Sequence, residues 1–152
     1  MRVFVDCEFT DFIDCDLISI GLVADDGREF YGERSDYDGT ACSVFVREAV
    51  LPQLGQQSDC VYSREGLRNA LRAWLGQFGG ERVVCVDFAT DWDLMLDLLD
   101  GETNGWQAQL VPVDQGRLEM YFAQHPGRHH ALVDARAQRY AMQGASISDA
   151  GR

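Results

Sequence analysis

The apolar positions change register along the chain, and each change separates one element from the next. Arg2 to Thr10 (RVFVDCEFT) is dominated by β-branched and aromatic residues, which predicts a strand. Leu17 to Ala24 (LISIGLVA) is a second apolar run, and Asp25-Asp26-Gly27 then turns the chain into Arg28 to Glu33, a predicted hairpin. Ala41 to Leu51 reads as helical and stops at Pro52. From Arg64 to Phe78 the apolar residues Leu67, Ala70, Leu71, Trp74, Leu75 and Phe78 follow helical spacing; Ser63 is placed to cap the start and Gly79-Gly80 to end it. Glu81 to Phe88 (ERVVCVDF) is nearly continuous apolar sequence, as a buried strand requires. Beyond it the pattern predicts a short helix over 91–99, a strand over 107–113, a helix over 117–124 and a last helix over 131–143. Three strands followed by alternating helices and strands define an α/β domain with a mixed sheet.

Length and composition narrow the class further. A chain of 152 residues, 46% hydrophobic and 25% charged, is expected to fold as a single domain, residues 1–152, with an ordinary core. No apolar run approaches the ~20 residues of a membrane helix, so no membrane partner is expected. The start, Met1 to Asp6, meets acid too early for a signal peptide, and a cytoplasmic location is expected. Five scattered cysteines without a CxxC pair argue against both a disulfide framework and a zinc site. The charge is the informative quantity: 25 acidic residues against 13 basic ones, all of them Arg, leave a net charge of −12. That balance suits either a solvated acidic surface or carboxylates gathered around hard cations, and it lacks the basic footprint of most nucleic-acid binders.

The positions of the acids separate these readings. Asp6 and Glu8 lie two apart in the first strand, so both side chains share one face, with α-carbons roughly 6.5–7 Å apart. An acidic pair inside an apolar strand costs several kcal/mol unless something compensates it, which makes it a candidate metal site. After the strand at 81–88 the acids are Asp87, Asp91, Asp93, Asp97 and Asp100. On a helix, Asp93, Asp97 and Asp100 form one stripe and read as a solvated face. Asp91 shares the core-facing stripe with Leu94, Met95 and Leu98, and is the chosen ligand, with Asp87 in reserve. Near the end, Arg128-His129-His130 precedes a helix whose first turn carries Asp134, a place for a proton-accepting imidazole. Three acidic positions and a His suit a two-metal phosphoryl-transfer centre, with ions about 3.5–4 Å apart.

Asp6-Cys7-Glu8, then Asp91, then His129 and Asp134 within HHALVDARAQ, resembles the signature of the DEDDh 3′–5′ exonucleases of the ribonuclease H-like superfamily. The DxEF start, LISIG, ADDGREFY and VLPQL are similar to segments of small bacterial 3′–5′ exoribonuclease-like proteins, and the resemblance runs from residue 2 to about 143. The second motif departs from the pattern: Asp87-Phe88-Ala89-Thr90-Asp91 stands where many relatives carry Asn-x-x-Phe-Asp.

The resemblance implies a ribonuclease H-like fold, a mixed central sheet flanked by helices. It implies two divalent cations, Mg²⁺ or Mn²⁺, with Asp6 bridging both, Glu8 and Asp134 on the ion that carries the attacking water, and Asp91 on the other. His129 takes the role of general base. Phe9 and Thr10 fall where a terminal base and sugar rest, and Arg128, beside His129, is the candidate phosphate contact. Arg64, Arg68 and Arg72 form one polar stripe that is read as helix solvation. The function implied is 3′–5′ hydrolysis of nucleic acid, RNA before DNA, releasing nucleoside 5′-monophosphates. A homodimer is expected from the resemblance. The alternatives are an inactive module that binds nucleic-acid 3′ ends on the same fold, or an acidic interaction protein without an active site.

Overall fold

The computed structural model describes residues 1–142. Six strands form one mixed sheet in the order β4-β3-β2-β1-β5-β6. β1 (Arg2–Phe9), β2 (Leu17–Ala24) and β3 (Glu29–Arg34) make an antiparallel meander. The short β4 (Val61–Tyr62), β5 (Val83–Val86) and β6 (Gln107–Leu110) add on parallel to their neighbours. The β2–β3 turn closes at Gly27, whose φ of +90° is costly for a side-chain-bearing residue.

Alternation along β1 divides the molecule. Val3, Val5 and Cys7 enter the main core with α1 (Arg64–Leu75) and α2 (Ala89–Leu98). On the opposite face, Phe4 packs with Cys85 and Met142, and this side is covered by α4 (Ala131–Met142), against which α3 (Gln115–Gln124) is laid. The inward face of α4 is built from small residues, Ala131, Ala135 and Ala141, all buried, which lets the helix approach the sheet closely. The approach is closest at Gly21 of β2: a Cβ there would lie 2.5 Å from the Leu132 nitrogen and 2.6 Å from the Ala131 carbonyl. Gly21 is the register partner of Asp6, so this contact sets the height of α4 over the acidic end of β1.

The structure revises the sequence reading at three further points besides the short β4. The helix expected over 41–51 starts later, widens into a π-helical turn over Val46–Val50, and passes through Pro52 as a 3₁₀ turn (Leu51–Gln53). Pro52 sits in the first turn of that piece, where its missing N–H has no partner to lose. α1 is capped by the Ser63 side chain, as expected, but ends at Gly76 rather than Gly79-Gly80. Phe78 stays buried without helical phase because it fits between Trp74 and Trp106, with the Arg28 guanidinium 4.1 Å above its ring. Finally, the Arg stripe of α1 and the acidic stripe of α2 are not two separately solvated faces. Arg64 pairs with Asp97, Arg68 with Asp100 and Arg72 with Glu102, and the three guanidiniums also donate to the carbonyls of Asp97, Leu98 and Leu99. These carbonyls lie where the α2 ladder ends: Asp97 and Leu99 also accept the Asp100 and Glu102 N–H groups, so the guanidiniums add to the closing turns. Gln143, the last residue of the expected final helix, lies outside the described residues.

Candidate active site

β1 and β5 pair only from Arg2↔Val83 to Phe4↔Cys85, then diverge. Their carboxyl ends open a cleft, the usual ligand position in α/β sheets. Asp6 and Glu8 line it from β1, Asp87 from the end of β5, Asp91 from the first turn of α2, and Asp134 from the first turn of α4. Carboxylate oxygens of Asp6, Asp87 and Asp91 lie within 4.8 Å of one another, and so do those of Asp6, Glu8 and Asp134. Asp6 is thus common to two acidic triads. Asp87 and Asp91, treated as alternatives in the sequence, stand in the same triad: Asp91 buried, Asp87 on the exposed rim.

Four of the five carboxylates, Asp6, Asp87, Asp91 and Asp134, are held by donors from the chain around them. Once β5 has diverged, the Cys7 N–H lacks a strand partner and donates to Asp91 Oδ1 at 3.1 Å. The Cys7 thiol, packed in the main core, also donates to the Asp91 carbonyl at 3.7 Å. Asp134 accepts the His129 N–H on both oxygens, at 3.1 and 3.2 Å. Gln138, which the sequence reading passed over, is buried and donates to Asp6 Oδ1 at 3.0 Å and Asp87 Oδ1 at 3.2 Å. Its signal was its position one turn after Asp134, on the same helical face.

Crowding leaves these acids reluctant to ionise. Burial, reinforced by the charges of Asp134 and Asp91, pushes Glu8 up to about 9. Burial raises Asp91 to about 7 despite the Cys7 N–H, with the Asp87 charge adding to the rise. Burial likewise raises Asp134 to about 7 against the opposing His129 N–H. Asp6 is raised well above the carboxylate range, first by burial and then by its four acidic neighbours. Its Oδ2 is buried with no hydrogen-bond partner among the described residues. A buried oxygen without a donor, at the junction of two all-carboxylate triads, fits hard divalent cations.

The remaining predicted residues surround this cleft. His129 and Arg128 line a pocket of about 160 Å³ with Asp6, Asp87, Asp134 and Gln138. His129 has the left-handed φ of 69°, and its ring meets Phe45 edge-on at 4.9 Å. Burial and the Arg128 charge lower its pKa. Arg128 is half-exposed, pairs with Glu119 and lies over the Phe122 ring. Phe9 packs partly into the core and lines a second, apolar groove of about 380 Å³ with Glu8, Phe12 and Phe45. Thr10 does not open into either pocket. It is fully buried, and its hydroxyl accepts the Asp16 N–H at 3.1 Å, closing the loop after β1. Its expected place beside a sugar is therefore replaced by a role in shaping that loop. His130 turns away from the acids and stacks on Tyr31.

The site is thus an acidic centre at the carboxyl ends of two parallel strands in an α/β domain, flanked by an imidazole, an Arg and an apolar groove. Over 77 residues the chain is 40% identical to two Mycobacterium tuberculosis proteins, from two strains, each named 3′-5′ exoribonuclease. The aligned stretch covers 49% of this chain and 46% of each relative, so the match spans about half the length of these curated relatives. No family model matches the chain. Among the described residues, no helix is long and apolar enough to cross a membrane.

Proposed function

We propose that this chain is a divalent-cation-dependent 3′–5′ exoribonuclease that releases nucleoside 5′-monophosphates. The observation that carries the reading is Asp6, shared by two carboxylate triads and holding a buried oxygen with no donor. The similarity to proteins named 3′-5′ exoribonuclease supports RNA as the substrate.

Asp6, Glu8 and Asp134 would hold one magnesium or manganese ion, and Asp6 with Asp91 the other, with Asp87 beside them. Bound there, the cations supply Lewis acidity and a readily deprotonated water. The protein's own groups do the rest. His129, which burial and the Arg128 charge bias toward the neutral form, accepts the proton of the attacking water. Water oxygen bonds to the terminal phosphorus as the bond to the preceding 3′ oxygen breaks. Arg128, on the open side of the pocket, meets the phosphate's negative charge. Phe9 and Phe45 offer apolar surface to the last base. Gln138 holds Asp6 and Asp87 in place, and Thr10 fixes the loop that follows β1.

The test uses matched RNA and DNA oligonucleotides labelled at the 3′ end, with Mg²⁺ or Mn²⁺ and then with chelator. Cation-dependent release of labelled mononucleotide, faster from RNA, supports the reading. Retention of the oligonucleotide without cleavage indicates an inactive 3′-end-binding module, and neither result indicates an acidic protein without an active site.

A further inference from the structure

Three sequence segments that the carboxylate centre leaves unused meet at one place. Gln53 of VLPQL, Tyr31 of ADDGREFY and the second His of the His129-His130 pair all bear on the loop before α4. That loop is not in a relaxed conformation. His129 has φ 69° and Gly127 has φ 106°, and a non-glycine residue stays in the left-handed region only where its surroundings hold it. The holding groups lie on both sides of His129. Before it, the Arg128 carbonyl accepts the Gln53 side-chain N–H at 2.8 Å, and the same amide donates to Ala49 at 2.9 Å. After it, the His130 ring stacks on Tyr31 at 4.5 Å, with 30° between the planes. Tyr31 is itself fixed, its hydroxyl donating to Glu33 Oε2 at 2.7 Å, while Glu33 Oε1 accepts the Gly55 N–H at 2.9 Å. Glu33 is buried. None of these groups belongs to either carboxylate triad.

We propose that Gln53 and the Tyr31–His130 stack are positioning residues for His129, clamping the loop backbone on either side so that the imidazole stays at the mouth of the acidic pocket. The inference rests on the exoribonuclease reading for its catalytic consequence but not for its structural content. Gln53 acts from the stretch that also carries Phe45, the ring that meets His129 edge-on. The backbone and the ring of the loop are therefore held from one segment, and the stack on β3 holds the other side.

The experiment compares Gln53→Ala, Tyr31→Leu and Tyr31→Phe, the last keeping the stack while losing the hydroxyl bond. Amide hydrogen exchange is read at His129 and, as reference, at Val5 of β1. The expected result is that exchange at His129 speeds up about tenfold or more in Gln53→Ala and Tyr31→Leu, less in Tyr31→Phe, and is unchanged at Val5. With RNA and Mg²⁺, kcat falls about tenfold in the first two variants while KM stays within twofold. In a His129→Ala background, Gln53→Ala and Tyr31→Leu cause no further loss, because they act through the residue already removed. Unchanged exchange at His129, or losses in kcat that persist in the His129→Ala background, would overturn the proposal. Faster exchange with wild-type kcat would overturn it too. If the wild-type protein cuts no RNA, the exoribonuclease reading fails while the exchange data still decide whether the clamp exists.

Discussion

Replacing Gly21 by Ala tests whether the seat of α4 sets the geometry of the site. The new Cβ would stand 2.5–2.6 Å from main-chain atoms of Ala131 and Leu132. Ordinary carbon contacts lie near 3.5–4.0 Å, so the first turn of α4 must retreat by about 1 Å. Main-chain atoms cannot swing aside as a flexible side chain would. The turn that moves carries Asp134 and is joined to His129 by the latter's N–H bond, while Asp6, the partner of Gly21 across the strand pair, stays on the sheet. Overpacking of this kind costs about 1–3 kcal/mol. At about 2–4 °C per kcal/mol for a chain of this size, Tm should fall by roughly 2–12 °C. A 1 Å misplacement between catalytic groups costs on the order of 10²-fold in rate. Gly27→Ala is the control: its φ of +90° strains any side chain, but nothing lies within 4 Å of its Cβ, and the turn lies beyond the Val3↔Ala24 end of the β1–β2 pair, away from Asp6 and Glu8. It should lower Tm and leave the rate of RNA shortening within twofold. The two variants are compared by thermal melting and by turnover on 3′-labelled RNA. Wild-type turnover in a folded Gly21→Ala protein would refute the argument that the Gly21 contact places Asp134 against Asp6.

Other consequences follow from the same geometry. Asp6→Asn should abolish cleavage while the metal-free Tm stays level or rises, because the substitution removes a buried carboxyl whose ionisation its burial and four acidic neighbours oppose; melting and turnover measure both. Asp91→Asn should cost far more activity than Asp93→Asn or Asp97→Asn, since Asp91 is buried against Cys7 while the other two are exposed; equal losses in a turnover assay would contradict this placement. His129→Ala should lower kcat about 100-fold and remove the ascending limb of the pH–rate profile, whereas His130→Ala should retain that limb at a reduced rate. Stability without metal should fall as pH rises from 5 to 9. Glu8 at about 9 and Asp91 and Asp134 at about 7 keep protons that the unfolded chain has released, so the folded state binds more protons across that window. A melting series should show a drop of about 5 °C or more, flattened by millimolar Mg²⁺.

How much the sequence reveals depends on whether a property is local or depends on distant pairing. β2 runs over Leu17–Ala24, as its apolar run predicts, and the Ser63 cap of α1 follows from one residue type at one position. The placement of Asp6 and Glu8 on one face comes from strand alternation alone. By contrast, the two-residue β4 has too little pattern to detect, and the Arg64–Arg68–Arg72 stripe gains its partners only when α1 and α2 are brought side by side. Asp87 and Asp91 looked like alternatives because helical phase describes one element at a time. The divergence of β5 from β1 brings both to Asp6. Thr10 shows the reverse error: adjacency to Glu8 suggested an open site, but a register shift between Glu8 and Phe9 precedes it, and its hydroxyl is taken by the loop. Gln138 was within reach of the sequence, one helical turn after Asp134, yet a neutral amide draws attention only once the acids it bridges are seen together.

The central claim, that the two triads sharing Asp6 form a cation centre, is tested most directly by calorimetric titration of Mn²⁺ into the wild-type protein and Asp6→Asn. Two ions per chain in the wild type, and at most one weakly bound ion in a folded Asp6→Asn, are the predicted result. Absence of Mn²⁺ binding to the wild type, or the same stoichiometry and affinity in both proteins, would contradict the account.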